Sequence, residues 1–187
     1  MEPTADTTPL TTAAEIVRFW RDAGPDRWFA KDDAFDAAFR AHCLTLHEAA
    51  AQGALQAWEA APERALALVL LLDQFPRNCF RGTARMFASD AAALEVATAA
   101  IAAGHDRSVA PELRIFFYLP FEHSEDLSDQ ERAVALIAPL GAEVRRYAEI
   151  HRDIIQRFGR FPHRNAILGR ATTAEEQRFL DSGGFAG

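Results

Sequence analysis

Residues 64–75, RALALVLLLDQF, narrow the fold more than any other stretch of the chain. Their apolar side chains run nearly all the way round a helical wheel. In a water-soluble protein such a helix must be enclosed by other helices. Pro62 stands where a first-turn proline belongs, since its missing N–H would have no helical partner there.

The rest of the chain supplies the neighbours. Thr12-Ala-Ala-Glu15 reads as a capping box that opens a helix through Phe19 and Trp20, stopped by Gly24-Pro25. A second helix is expected from Asp32 and Asp33 to Gly53, with Phe35, Phe39 and Leu46 among its apolar positions and Cys43 as a buried reduced thiol. Ser89-Asp90 begins an alanine-rich helix ending at Gly104, and Pro111 opens PELRIFFYL, which runs into Pro120. Ser128-Asp-Gln-Glu131 reads as a second capping box, and Thr172-Thr-Ala-Glu175 as a third. Between them, residues 142–158 place Val144, Tyr147, Ile150, Ile154 and Phe158 at helical spacing. No window shows the two-residue alternation and β-branched enrichment of a strand. The predicted class is all-α: a single domain of about eight or nine helices over residues 12–187, behind a disordered tail at 1–11.

Composition excludes some functions. The net charge of -7 disfavours nucleic acid and anionic membranes as partners. The most apolar run, Ala65 to Leu72, is far shorter than the roughly 20 residues of a membrane span. Without a signal-peptide pattern the expected location is cytoplasmic. Nineteen arginines against one lysine, with abundant alanine, are what a GC-rich genome alone would give, so only the position of an arginine carries weight.

Three places break the local rules, which is where function is expected. Asp73 closes the most buried helix, where the dipole is negative and a carboxylate needs a partner; Arg77 and Arg81 lie just beyond it. In YLPFEHSED, residues 118–126, Glu122 and His123 follow directly on aromatics, so a loop or bent turn beside apolar surface is expected. His151 lies about 40° round the helix from Tyr147 and points inward. Asp153 and Arg157 on the flank of that helix are spaced to pair. FGRFPHRN at 158–165 repeats the Phe-Pro and Arg-Asn of DQFPRN at 73–78 and inserts His163.

No HExxH or ExxH pairing, nucleophile motif or phosphate loop is present, and neither a metal nor a cofactor is expected. The general acid–base candidates are Glu122, His123, Asp126, His151 and His163. A pocket for a small carboxylate- or phosphate-bearing molecule would draw on Asp73, Arg77, Asn78, Tyr118, Glu122, His123, His151, Arg157, Arg160, His163, Arg164 and Asn165. Two other readings compete with it: a scaffold for a protein or peptide, and motifs that merely hold helix ends.

DQFPRN, FFYLPFEHSED and HRDIIQRFGRFPHRN, with the early Phe19-Trp20, Gly24-Pro25 and Trp28-Phe29 and the terminal Gly184-Phe185 with Gly187, resemble a bacterial family known as domain of unknown function 924. The resemblance implies a tetratricopeptide-like, right-handed superhelical stack and brings no activity with it.

Overall fold

In the computed structural model, which describes residues 9–185, every regular element is helical and no strand occurs among the described residues. The predicted tail therefore falls mostly outside the described residues, as does Gly187. The chain forms two compact units. One holds residues 9–81 and 85–117, the other 82–84 and 118–185.

In the first unit, α1 (Ala13–Ala23) starts at the predicted Thr12–Glu15 capping box and ends at Gly24. The short α2 (Pro25–Trp28) follows, then α3 (Asp33–Ala51), capped by the Asp32 carboxylate on the Ala34 and Phe35 N–H groups. The central segment begins as α4 (Pro62–Val69), packed against α1 and against α6 (Asp90–Ala102). Residues 65–75 are all buried, as their apolar wheel predicts. An aromatic core forms around Trp20, in ring contact with Phe35, Phe39 and Phe116, and Phe39 continues it to Phe75. Cys43 is buried and reduced.

Asp73 does not close its helix as the sequence suggested. The helix passes through a π-helical turn, Leu70–Gln74, and resumes as α5 (Phe75–Cys79) with Pro76 in its first turn. The Phe75 N–H reaches back to the Leu70 carbonyl, five residues away, and Pro76 has no N–H to give to the next one. Side chains take the carbonyls left over. His47 Nδ1 lies 2.8 Å from the Leu71 oxygen, and Ser89 Oγ donates to the Leu72 oxygen at 2.6 Å. Asp73 is therefore inside a continuing helix, and the macrodipole argument made for it from the sequence does not apply.

The second unit begins with α7 (Leu119–Glu122), which carries Pro120 in its first turn, and continues with α8 (Leu127–Ile137), α9 (Ala142–Phe158) and α10 (Ala174–Asp181). Helix α8 packs on α9, α7 on both, and α10 on the 162–164 turn. Three local expectations shift here. The cap of α8 is Asp126, whose carboxylate takes the Ser128 and Asp129 N–H groups. The last capping box is Thr173 with Glu176, one residue later than the spacing suggested. Tyr147 is exposed, and the buried stripe of α9 runs through Ala148, His151, Ile154 and Ile155. No described helix is long and apolar enough to cross a membrane.

Candidate functional site

Asp73, Arg77 and Asn78 belong to the first unit, and there they are matched to other side chains. The Asp73 side chain has no solvent exposure; Gln74 Nε2 donates to it at 2.6 Å and Arg77 Nη1 lies 3.0 Å away. Arg77 also grips Asp90 with both terminal nitrogens, at 2.8 and 3.1 Å, and donates to the Asp73 carbonyl at 2.9 Å. Asn78 Nδ2 donates to Asp36 at 2.7 Å, and Arg81 pairs with the same carboxylate at 3.0 Å, not with Asp73. These groups tie α3, α5 and α6 around the π turn.

In the second unit the predicted residues divide. Arg157 pairs with Glu175 at 2.9 Å and lies over the Phe158 ring, so the expected pairing with Asp153 is replaced; Asp153 meets Arg152 at 2.6 Å. The reason is direction: Arg157 leans toward α10, where Phe179 and Glu175 receive it. Arg160 grips Glu176 at 2.6 and 2.9 Å, and its guanidinium is the main cause holding that carboxyl down to about 2. Asn165, fully buried, accepts from Arg170 Nε at 3.0 Å and donates to Thr172 at 3.4 Å. Asp126 is exposed and committed to its cap. The Ser128 hydroxyl, then the two N–H groups, hold its carboxyl below the usual range.

What remains is a buried cluster around His151, on the inward face of α9 as the spacing predicts. His151 Nδ1 lies 2.8 Å from the Tyr147 carbonyl oxygen and 3.2 Å from Glu122 Oε1. A carbonyl only accepts, so Nδ1 carries the proton and Nε2 presents its lone pair. Nε2 has no hydrogen-bond partner among the described residues. Glu122 is 5% and His151 7% exposed. Burial is the main cause pushing His151 down to about 4. The Tyr147 bond opposes it, and the charges of His123, Arg164 and His163 add to it.

The local sequence explains why Glu122 is held there. The α7 helix ends at Glu122, and the chain bends through His123 and Ser124. Gln130 of α8, fully buried, donates its amide to the Glu122 and Ser124 carbonyls at 2.6 Å each. Glu125 accepts both Arg170 nitrogens, at 2.6 and 3.0 Å, together with the Phe161 N–H at 2.8 Å. This clamp fixes the 161–165 turn against the bend. Arg164, 6% exposed, lies over the Phe161 ring and donates to the His123 carbonyl at 3.0 Å. His163 stands 5.6 Å from Phe161, and Tyr118, the cap of α7, is 4% exposed. Phe161 and Phe185 meet the His151 ring at 5.6 and 4.4 Å.

Sequence reasoning missed Gln130, Ser89, Asp36 with Asp90, and the Glu125–Arg170 clamp. His47 was findable, because it continues the Phe39–Cys43 row of α3 at four-residue steps. Nothing in the sequence relates Glu125 to Arg170, 45 positions later. Among the described residues no three His, Cys, Asp or Glu side chains are placed to share a metal ion. Two surface depressions, of about 360 and 300 Å³, lie away from the His151 cluster: Arg18, Phe19, Arg27 and His42 line the first, and Arg157, the one predicted pocket residue in either, lines the second with Glu175, Arg178 and Phe179.

The family model described as "Bacterial protein of unknown function (DUF924)" matches residues 16–184. A solved structure of a protein of unknown function from Agrobacterium tumefaciens is similar at 56% identity with a TM-score of 0.89, covering 91% of this chain and 97% of that one. No curated protein matches the chain.

Proposed function

Since this chain belongs to the DUF924 family of bacterial proteins, whose description assigns no activity, we propose a function from the site: Glu122 and His151 are a general acid–base pair acting on a small, negatively charged molecule. The observation that carries this is the 3.2 Å contact between two nearly buried titratable side chains, one of them pushed far from its ordinary value.

In this reading His151 Nε2 takes a proton from water or from a substrate hydroxyl. Glu122, on the other ring nitrogen, holds the ring orientation and stabilises the imidazolium that forms. A histidine at about 4 is a weak base at neutral pH. An anion entering beside it changes that. It offsets the charges of His123, Arg164 and His163 and raises the affinity of His151 for a proton. The substrate would thus switch on the base that acts on it. Arg77, Arg157 and Arg160 are matched to carboxylates already, so the anion's counter-charge comes from the His151 side of the second unit.

The test is hydrolysis of a panel of nitrophenyl esters and nitrophenyl phosphates by the full-length protein. The expected result is turnover above buffer that falls at least about 100-fold in His151→Asn and Glu122→Gln. Equal rates for the wild type and His151→Asn would refute the proposal.

A further inference from the structure

The end of the chain has a geometry that helix packing alone does not call for. After α10 the chain reverses through Gly183, at φ 79°, a conformation that favours glycine. The Gly183 N–H bonds to the Leu180 carbonyl at 3.1 Å and the Gly184 N–H to the Phe179 carbonyl at 3.0 Å. A Cβ on Gly184 would lie 2.6 Å from the Phe179 carbonyl oxygen and equally close to its ring. Only glycine lets the chain press this tightly on α10. The next residue, Phe185, sets its ring 4.4 Å from His151 and 5.5 Å from His163, edge-on to both, and joins the cluster of Phe161, Ile154 and Ile155.

We propose that Phe185, delivered by the Gly183–Gly184 turn, is a positioning residue of the Glu122–His151 site that keeps water off the His151 ring and thereby keeps the imidazole neutral. This rests on the acid–base reading of the site and adds to it the residue that sets the state of the base. The groups facing His151 are Glu122 from α7, His123 from the bend after it, His163 and Arg164 from the 162–164 turn, and the Tyr147 carbonyl from α9 itself. Charge on His123, Arg164 or His163 disfavours an imidazolium, and the Tyr147 carbonyl bond favours it. Desolvation is the largest influence and the one a removable apolar ring controls. Phe185 touches the imidazole directly and is itself only partly buried, next to a partly buried Gly184 and an exposed Gly183.

The experiment is a titration of the histidine rings of the full-length protein by two-dimensional ¹H–¹⁵N NMR. In the wild type, His151 is expected to take its second proton near pH 4. Phe185→Ala should raise that midpoint by at least about one pH unit, a tenfold gain in proton affinity. Phe185→Leu, which keeps an apolar cover, should leave it close to wild type. Gly184→Ala keeps the phenylalanine but forces it off α10, and should follow Phe185→Ala. An unshifted His151 midpoint in both Phe185→Ala and Gly184→Ala overturns the proposal and leaves the acid–base pair standing. A wild-type midpoint near 6.5 would instead sink the acid–base reading itself, and this inference with it.

Discussion

Replacing Arg77 by Met distinguishes a structural role for DQFPRN from a ligand-binding one. Arg77 is the cation for two carboxylates, one of them, Asp73, without solvent exposure. Methionine keeps the aliphatic stem and removes the charge, so Asp73 stays buried without its arginine, with Gln74 Nε2 still donating to it. Breaking a buried pair from one side costs about 3–5 kcal/mol, because the remaining charge keeps its desolvation penalty. Asp90 is 21% exposed and recovers part of its loss through water, which places the expected cost toward the lower end. With a urea dependence of roughly 2 kcal/mol per molar, the unfolding midpoint should fall by about 1.5 M or more. The double variant Asp73→Leu with Arg77→Met removes both charges and should recover much of the loss, since an apolar pair of similar volume replaces a buried ion pair at little net cost. Urea unfolding followed by tryptophan fluorescence and by circular dichroism supplies the numbers. A cost below about 1 kcal/mol for Arg77→Met, with unchanged slope, would refute the structural assignment.

Two further outcomes follow from the same geometry. His151 takes its proton near 4 when folded and near the ordinary 6.5 when unfolded, so the unfolded chain binds more protons between those values. Its stabilising contribution is therefore complete above pH 6.5 and lost as pH falls toward 4. Between pH 7 and 4.5 the wild type should lose roughly 2–3 kcal/mol more than His151→Gln in urea unfolding, and equal losses would contradict the burial argument. Ser89→Ala withdraws the hydroxyl from the buried Leu72 carbonyl beside the π turn, which should cost about 1–3 kcal/mol and lower Tm by roughly 3–8 °C. An unchanged Tm would mean that the carbonyl finds another donor.

The all-helical class was legible because its signals are local. The caps at Thr12 and Asp32, the stop at Gly24 and the apolar wheel of 65–72 each act within a turn or two of chain. Errors arose where two local signals compete. Ser128 and Asp126 both suit a cap, and the Asp126 carboxylate takes the Ser128 and Asp129 N–H groups while the Ser128 hydroxyl donates to it. Thr172 and Thr173 both head a capping box, and only Glu176 lies where Arg160 completes it. Pro76 reads as a helix end, yet a π turn with two side-chain donors carries the helix past it. At the site, the inward face of His151 and the apolar setting of Glu122 were readable from periodicity and aromatic flanks, although Glu122 ends a short helix where a loop was expected and is buried there. Their pairing was not, because it joins positions 29 residues apart through packing that no local pattern encodes.

The central claim is that His151 is a neutral, buried base held through Nδ1, and the ¹⁵N shifts of its ring test this most directly. At pH 7 the long-range ¹H–¹⁵N correlations of the wild type should show a protonated Nδ1 and a bare Nε2, with the Nδ1 resonance moving when Glu122 becomes Gln. A His151 ring that carries its proton on Nε2, or both protons at pH 7, would contradict the account.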